Sequence, residues 1–241
     1  MEALKARMRA YWGARSDSFA RQRLEEWEGE KHRLWLAELN RHIPAGGGWD
    51  ILDLGTGTGF LAFLLASQGH RVVGIDLTPQ MIEQAGRTAQ ALGLSASFAV
   101  MDAEQAQFAP CSFDALVTRN LTWALPNLPQ AYRAWGRLLR PGGVLLNFDG
   151  DYCREKTGPR AGEYAHRDLT PDMVAEYEGM KGELRCRQQP RPQWDVELLQ
   201  QAGFSAVQVD EQLGQRIYTR VDGLYNPTPM FAIAAYRQGG V

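Results

Sequence analysis

The sequence predicts an α/β protein with a mostly parallel, seven-stranded sheet that is covered by helices on both faces. From residue 49 onward, short apolar runs alternate with helical stretches, which is the pattern of right-handed β–α–β crossovers. The 241 residues are 44% hydrophobic and 22% charged, an ordinary composition for a globular domain. We therefore do not expect a disordered, collagenous or membrane-spanning protein.

Residues 1–40 are predicted to form a helical cover over the sheet. Apolar residues recur there at three-, four- and seven-residue offsets, which is typical of an amphipathic helix: Leu24, Trp27, Leu34, Trp35 and Leu39. Both signs of charge are interspersed along this segment, which indicates a solvated face and not a basic arm. Pro44 and the glycines at 46–48 then end the helical pattern.

The predicted strands and helices alternate through the rest of the chain. Strands are expected at residues 50–54, 71–76, 97–101, 113–118, 144–148, 204–209 and 230–236. Helices are expected at residues 60–67, from 79 onward, at 131–139 and at 194–202. Thr78 and Pro79 fit the N-cap and first position of the second of these helices, and residues 141–143 stop the third.

Residues 150–190 break this alternation, because they are polar and rich in tyrosine. We therefore expect a single domain, 1–241, with three parts. Residues 1–40 form a helical lid, 41–149 and 192–241 form the sheet, and 150–191 form an inserted cap over a substrate site.

The charges give little support to a polyanionic partner or a membrane. Lys and Arg number 26 against 28 Asp and Glu, for a net charge of −2. No apolar run is long enough to span a bilayer. The three cysteines lie far apart without a CxxC pair, so we expect no zinc ribbon, no disulfide and a cytoplasmic location. No metal cluster is visible, no nucleic acid partner is expected, and the chain could be a monomer or a homodimer.

A glycine-rich loop follows the first strand. Gly55, Gly57 and Gly59 alternate with threonines, and Asp53 stands two residues before the first glycine. Glycines allow a sharp turn and a close approach of the backbone to a ligand, and the next helix presents free amides. The dinucleotide fingerprint GxGxxG requires glycine at 60, where this chain has Phe60. The loop instead resembles motif I of the class I S-adenosylmethionine-dependent methyltransferases, (D/E)xGxGxG.

This resemblance implies a Rossmann-like fold with an antiparallel last strand, and S-adenosyl-L-methionine as cofactor. Asp76, at the end of the second strand, would accept the ribose hydroxyls, while Leu77 and Met81 would cover the adenine or simply belong to the core. Asp102 would accept the adenine amino group, with Ala103 beside the ring, or would only cap a turn. The whole cofactor set is Asp53, Gly55, Thr56, Gly57, Gly59, Asp76, Leu77, Met81, Asp102, Ala103, Arg119, Asn120, Tyr11 and Arg15.

Two further segments resemble family features. The turn at 138–143 matches the family's helix stop before strand five. Tyr11-Trp12-Gly13-Ala14-Arg15 is similar to the YWDxR opening of bacterial small-molecule methyltransferases, where aromatic and arginine side chains reach the amino-acid end of the cofactor. Gly13 replaces the usual acid, and Tyr11 and Trp12 could instead serve only as packing.

The acceptor site is expected at the carboxyl ends of strands four and five. Asn120-Leu121-Thr122-Trp123 occupies the place of the (D/N)PP(Y/F/W) motif of amino-group methyltransferases, but both prolines are absent. Asp149 and His166 are the candidate catalytic bases, although both could be ordinary loop residues. The expected substrate pocket consists of Trp12, Trp123, Tyr152 and Tyr164.

The function favoured by the sequence is methyl transfer to a small molecule, with S-adenosyl-L-homocysteine as product. The neutral, aromatic character of the two cover segments favours an enclosed apolar pocket. A methyltransferase acting on RNA or protein, a non-catalytic protein that binds S-adenosylmethionine, and a nicotinamide dehydrogenase are the alternatives.

Overall fold

The computed structural model of the chain describes residues 1–154 and 167–239. Seven strands form one sheet in the order β3-β2-β1-β4-β5-β7-β6. They are β1 (Asp50–Leu54), β2 (Arg71–Asp76), β3 (Ala96–Val100), β4 (Phe113–Arg119), β5 (Leu139–Gly150), β6 (Phe204–Asp210) and β7 (Met230–Arg237). β1 to β5 pair in parallel, whereas β7 runs antiparallel to both β5 and β6. The predicted fold class is therefore confirmed, including the antiparallel last strand.

The helices lie on both faces of this sheet. They are α1 (Glu2–Glu28), α2 (Glu30–Leu39), α3 (Phe60–Ser67), α4 (Pro79–Ala91), α5 (Leu128–Leu138), α6 (Pro171–Glu183), α7 (Gln193–Gln201) and α8 (Leu213–Ile217). In the part of the chain that the structure describes, no helix is long and apolar enough to cross a membrane.

Two apolar layers sandwich the sheet, because successive residues of a strand point to opposite faces. In β1, Leu52 packs with α5 and α7, and its neighbour Ile51 packs with α2, α3 and α8. Both side chains are completely buried. The parallel strands thus read as continuous apolar runs in the sequence, as expected for a sheet covered on both faces.

The N-terminal cover is two helices, and its predicted apolar stripe is only partly correct. Gly29 is in an extended conformation and ends α1, so the helical phase restarts in α2. Trp35 and Leu39 of α2 are fully buried, whereas Leu24 of α1 is 37% exposed. The expected membership of Leu24 in the buried stripe is therefore wrong, because the break at Gly29 rotates the two halves relative to each other.

The segment after β5 contains two features that the sequence analysis did not expect. Helix α6 begins after Thr170, whose side chain accepts a hydrogen bond from the amide of Met173, and it packs beside α1. Cys153 and Cys186 form a disulfide with a Cα–Cα distance of 6.1 Å. The expectation of no disulfide is thus wrong, because the fold brings together cysteines that lie 33 positions apart in the sequence.

Candidate active site

The glycine loop turns sharply between β1 and α3. Gly55, Gly57 and Gly59 have φ angles of 64°, 54° and 94°, in the left-handed region that side chains disfavour. A Cβ atom at Gly55 would lie 2.7 Å from Leu121 Cδ1, and one at Gly59 would lie 2.5 Å from Phe63 Cζ. Both positions therefore favour glycine for its conformation, and a side chain there would also have to displace Leu121 or Phe63.

Asp53 stabilises this loop through hydrogen bonds. Its Oδ2 atom accepts hydrogen bonds from Thr56 Oγ1 at 2.6 Å and from the amide of Ala62 at 3.2 Å. Burial raises the pKa of Asp53 to about 7, although both hydrogen bonds act to lower it, and nearby Asp76 raises it further. The carboxylate thus ties the turn to the first turn of α3.

Asp76 at the end of β2 also faces the loop. Its Oδ2 accepts from the amide of Gly57 at 3.0 Å, and its Oδ1 accepts from the amide of Thr78 at 2.8 Å. Burial raises the pKa of Asp76, and these two hydrogen bonds partly oppose the increase. The Thr78 side chain also hydrogen-bonds this carboxylate, which has about four acceptor sites and therefore retains capacity for a sugar hydroxyl.

Asp102 follows β3 and is linked to the N-terminal helix. Its Oδ2 accepts from Lys5 Nζ at 2.6 Å, while its Oδ1 accepts from the amide of Glu104 at 2.9 Å. Lys5 also pairs with the carboxylate of Glu104. Burial acts to lower the pKa of Lys5, but the two carboxylates outweigh it and raise the pKa. These ion pairs thus hold the start of α1 against the residues that follow β3.

A cavity of about 220 Å³ lies between α1 and the carboxyl ends of the parallel strands. The structure brings most of the expected cofactor and pocket residues to its wall. They are Trp12, Arg15, Asp53, Gly55, Thr56, Gly57, Asp76, Leu77, Met81, Asp102, Ala103, Arg119, Asn120, Trp123 and Tyr152. Residues from six separate segments of the sequence therefore converge on one space.

Some expected site residues lie elsewhere. Gly59 caps α3 and does not line the cavity, because its role is to pack against Phe63. Tyr11 is 5% exposed, packs against Tyr177 with 5.8 Å between ring centroids, and does not line the cavity. Tyr164 and His166 lie outside the described residues.

Asp149 is buried behind the cavity and does not line it. Its Oδ2 accepts hydrogen bonds from Thr122 Oγ1 at 2.5 Å and from the amide of Trp123 at 3.0 Å. Arg191 Nη1 lies 3.3 Å from the same oxygen, and both side chains are completely buried. Burial raises the pKa of Asp149, and the charge of Arg191 opposes the increase. A general base must reach the substrate, and Asp149 does not line the cavity in this position.

The sequence analysis missed much of the wall that α1 and the C-terminal segments contribute. The additional lining residues include Lys5, Met8, Arg9, Phe19, Gln22, Arg23, Tyr177, Tyr218, Leu224 and Asn226. Those on α1 recur at three- and four-residue spacing, so a helical stripe was present in the sequence. It went unnoticed because the stripe mixes polar and apolar residues. The C-terminal residues carry no comparable local pattern.

Three arginines surround one end of the cavity. Arg119 donates to both carboxylate oxygens of Glu26, at 2.9 and 3.0 Å, and Arg23 Nη1 lies 2.6 Å from Glu26 Oε2. Burial acts to raise the pKa of Glu26, but the two guanidinium groups outweigh it and lower the pKa. Arg15 is 3% exposed and lies over the ring of Trp12 at 5.2 Å. Positive charge thus exceeds negative charge here.

Aromatic rings also line the cavity. The ring of Trp123 lies 5.7 Å from that of Tyr152 and 5.4 Å from that of Tyr177, measured between centroids. Trp12 and Phe19 from α1 face the same cavity, with their rings 5.7 Å apart. Such walls bury flat or apolar ligand surface while a few polar groups fix its orientation.

Part of this chain is similar to proteins of known function. Residues 51–143 match the family model described as a methyltransferase domain. Phosphoethanolamine N-methyltransferase 1 of Arabidopsis thaliana is 35% identical over 115 residues, which cover 47% of this chain and 23% of that protein. Demethylmenaquinone methyltransferase of Thermus thermophilus is 40% identical over 105 residues, which cover 41% of this chain and 46% of that protein. The chain thus spans less than half of the length of these two relatives.

A solved structure shows the same fold. Phosphoethanolamine N-methyltransferase 2 of Haemonchus contortus, in complex with S-adenosyl-L-methionine, superposes with a TM-score of 0.61 at 22% identity, covering 84% of this chain and 52% of that one. The glycine loop and the matched family model thus identify residues 51–143 as a methyltransferase domain, and the solved structure shows that the fold around them is the same.

Proposed function

We propose that the chain transfers the methyl group of S-adenosyl-L-methionine to a small-molecule acceptor and releases S-adenosyl-L-homocysteine. The observation that carries this proposal is the cavity itself, which joins Gly57, Asp76 and Asp102 to an aromatic wall at Trp123 and Tyr152. Similarity to enzymes named for phosphoethanolamine and demethylmenaquinone supports a small acceptor. A long helix over the strand ends favours an enclosed substrate over a polymer.

The described residues fit the cofactor at both ends. Asp76 has spare acceptor capacity for the ribose hydroxyls, and Asp102 with Ala103 would bind the adenine, flanked by Leu77 and Met81. Arg15, Arg119 and Asn120 would hold the methionine end beside the glycine loop. When bound, the cofactor supplies a methyl group activated by a sulfonium, so the protein needs mainly to align the acceptor and exclude water.

The acceptor side would be completed by the cap. Trp12, Trp123 and Tyr152 would bury the substrate, together with Tyr164, and His166 remains the predicted base on this side. We also propose the divisions expected from the sequence, with 1–40 as lid, 150–191 as cap and the remainder as the cofactor-binding sheet. A cytoplasmic location and a monomeric or homodimeric state belong to the same proposal.

Calorimetry with S-adenosylmethionine, followed by an acceptor screen, tests this proposal. We expect binding, and formation of S-adenosylhomocysteine with a small-molecule acceptor. Turnover on RNA or protein alone would show that the acceptor is a polymer and not a small molecule. Binding without turnover on any acceptor would indicate a non-catalytic cofactor-binding protein, and binding of NADH alone would indicate a dehydrogenase.

A further inference from the structure

Asn120 is held in an unusual backbone conformation at the cavity wall. It directly follows β4 and has a φ of 55°, although it is not glycine. Its amide donates to the carbonyl of Phe148 at 2.9 Å, and its carbonyl accepts from Trp123 Nε1 at 3.0 Å. Both backbone polar groups are therefore engaged, and the strained conformation fixes where the side chain begins.

A chain of hydrogen bonds fixes the side-chain amide of Asn120 as well. The amide of Thr228 donates to Asn226 Oδ1 at 3.1 Å, so Asn226 turns its Nδ2 to the hydroxyl of Tyr152 at 2.7 Å. The Tyr152 hydroxyl lies 3.0 Å from Asn120 Oδ1. The Tyr152 hydroxyl oxygen already accepts a hydrogen bond from Asn226 Nδ2. Because a phenol has a single proton, the hydroxyl donates that proton to Asn120 Oδ1.

The Nδ2 group of Asn120 is then left to the cavity. Asn120, Tyr152 and Asn226 all line that space, and no acceptor for Asn120 Nδ2 is found within residues 1–154 and 167–239. An amide donor in this position can bind a ligand atom with a lone pair, such as an oxygen. Without the relay through Tyr152, the amide could rotate and offer its oxygen instead.

The charges around the cavity favour an oxygen that is ionised. Glu26 lies between Arg119 and Arg23, so one carboxylate faces two guanidinium groups, and Arg15 adds a third. The Nε atoms of Arg15 and Arg23 are buried and have no hydrogen-bond partner in the described parts of the chain. The acids that line the cavity, Asp53, Asp76 and Asp102, belong to the cofactor end.

We propose that the acceptor is a small molecule bearing an oxyanion, a carboxylate or a phosphate, which Asn120 Nδ2 binds as donor. Tyr152 and Asn226 are positioning residues that hold the amide in that orientation. This inference rests on the proposed methyl transfer and moves the Asn120 side chain from the cofactor to the acceptor. The positive charge of Arg23, which is not assigned to the cofactor, strengthens binding of the oxyanion, since hydrogen bonds to ionised groups are stronger than those to neutral groups.

The test uses four hydroxylated arenes, chosen because the wall is aromatic: 4-hydroxybenzoate, 4-hydroxyphenyl phosphate, 4-hydroxybenzyl alcohol and tyramine. Their affinities for the full chain saturated with S-adenosylhomocysteine are measured by calorimetry. We expect at least one anion to bind about tenfold more tightly than the alcohol and tyramine. The preferred anion distinguishes carboxylate from phosphate. Equal or tighter binding of tyramine would overturn the proposal.

A double-mutant cycle tests the relay. Tyr152→Phe removes only the hydroxyl, so we expect about tenfold weaker anion binding and an unchanged affinity for S-adenosylhomocysteine. In an Asn120→Ala background, the same change should have no further effect on anion binding. Equal losses in both backgrounds would assign Tyr152 a packing role and refute the relay.

The cofactor measurement separates this inference from the proposed function. If S-adenosylhomocysteine binds but the anions have no advantage, the oxyanion inference fails and the methyltransferase proposal stands. If S-adenosylhomocysteine does not bind, the proposed function itself fails.

Discussion

At the scale of single residues, Asp53 and Asp76 are carboxylates on neighbouring strands that have different roles. Asp53 accepts from Thr56 and Ala62 and shapes the loop, whereas Asp76 accepts two backbone amides and keeps capacity for a ligand. The sequence indicated Asp53 because it stands two residues before the glycine loop, and Asp76 because it ends the second strand. It could not indicate Asn226, because its place beside Tyr152 depends on a contact between positions 74 apart in the chain.

Asp53 should give the stability a pH dependence. Its pKa rises from an ordinary 3.8 to about 7 on folding, so the folded state binds more protons and becomes less stable as pH rises between these values. Asp53→Asn removes this loss. We expect the melting temperature of the variant, relative to the parent, to rise by a few degrees between about pH 4.5 and pH 8.

Asp50→Asn is the matched control for that measurement. Salt bridges to Arg71 and Arg140 lower the pKa of Asp50 to about 2, so its contribution to stability is lost only as pH falls from 3.8 toward that value. Its difference from the parent should stay nearly flat over the same pH range. A flat profile for Asp53→Asn as well would contradict the raised pKa.

Asp76→Ala should weaken cofactor binding without unfolding the protein. The change removes the proposed ribose acceptor and the hydrogen bonds to Gly57 and Thr78, so we expect at least tenfold weaker binding of S-adenosylmethionine by calorimetry. Glu83→Ala on α4 is a control, because its carboxylate is exposed and pairs with Arg87 only at the surface. Unchanged affinity in Asp76→Ala would mean that the cofactor site is wrongly placed.

At the scale of elements, Arg191 joins α7 to the end of β5. Its guanidinium donates to both oxygens of Asp195 at 2.6 and 2.8 Å and lies 3.3 Å from Asp149, and all three side chains are fully buried. Burial acts to lower the pKa of Arg191, but the carboxylates raise it. The network therefore holds Asp149, which accepts a hydrogen bond from the amide of Trp123, in a fixed position.

Arg191→Met should destabilise the fold strongly, because it leaves buried carboxylates without their cation. We expect a loss of about 3–5 kcal/mol in the free energy of unfolding, measured by urea denaturation. Arg133→Met, at an exposed position on α5, should stay within about 0.5 kcal/mol of the parent. A small effect of Arg191→Met would show that the network contributes little.

The Cys153–Cys186 bridge ties the segment after β5 to the residues before α7. In denaturant without reductant, iodoacetamide should label only Cys111, whereas after reduction it should label all three cysteines. A bridge that closes a loop of this length contributes roughly 3–4 kcal/mol in the chain-entropy account. Labelling of three cysteines without reductant would exclude the bridge.

Most elements followed from the sequence because their signals are local. Helix α4 begins at Pro79 after Thr78, as the N-terminal signal predicts, and the strands have apolar runs. Helix α6 was missed because its sequence is polar, and its buried side chains, Tyr177 and Met180, face α1 instead of the sheet. Short α8 was missed because five residues carry no readable period.

At the scale of the whole molecule, the cavity forms where α1 crosses the carboxyl ends of the parallel strands. The net charge of −2 conceals a separation of charges around this space, since Arg23 and Arg119 share Glu26, whereas Lys5 pairs with Asp102 near the start of α1. The composition alone could not reveal that separation, because it depends on how α1 folds back onto β4. The cofactor half of the site was readable from motifs, whereas the acceptor half required the fold.

Incubation of the chain with S-adenosylmethionine labelled in its methyl group and a metabolite extract, followed by mass spectrometry, tests the central claim most directly. We expect S-adenosylhomocysteine and a labelled small molecule from the parent. Neither should form with Gly57→Val, because this position has a φ of 54° and a Cβ would lie 3.3 Å from Phe19. Label found only in RNA or protein, or no transfer despite tight cofactor binding, would contradict a small-molecule methyltransferase.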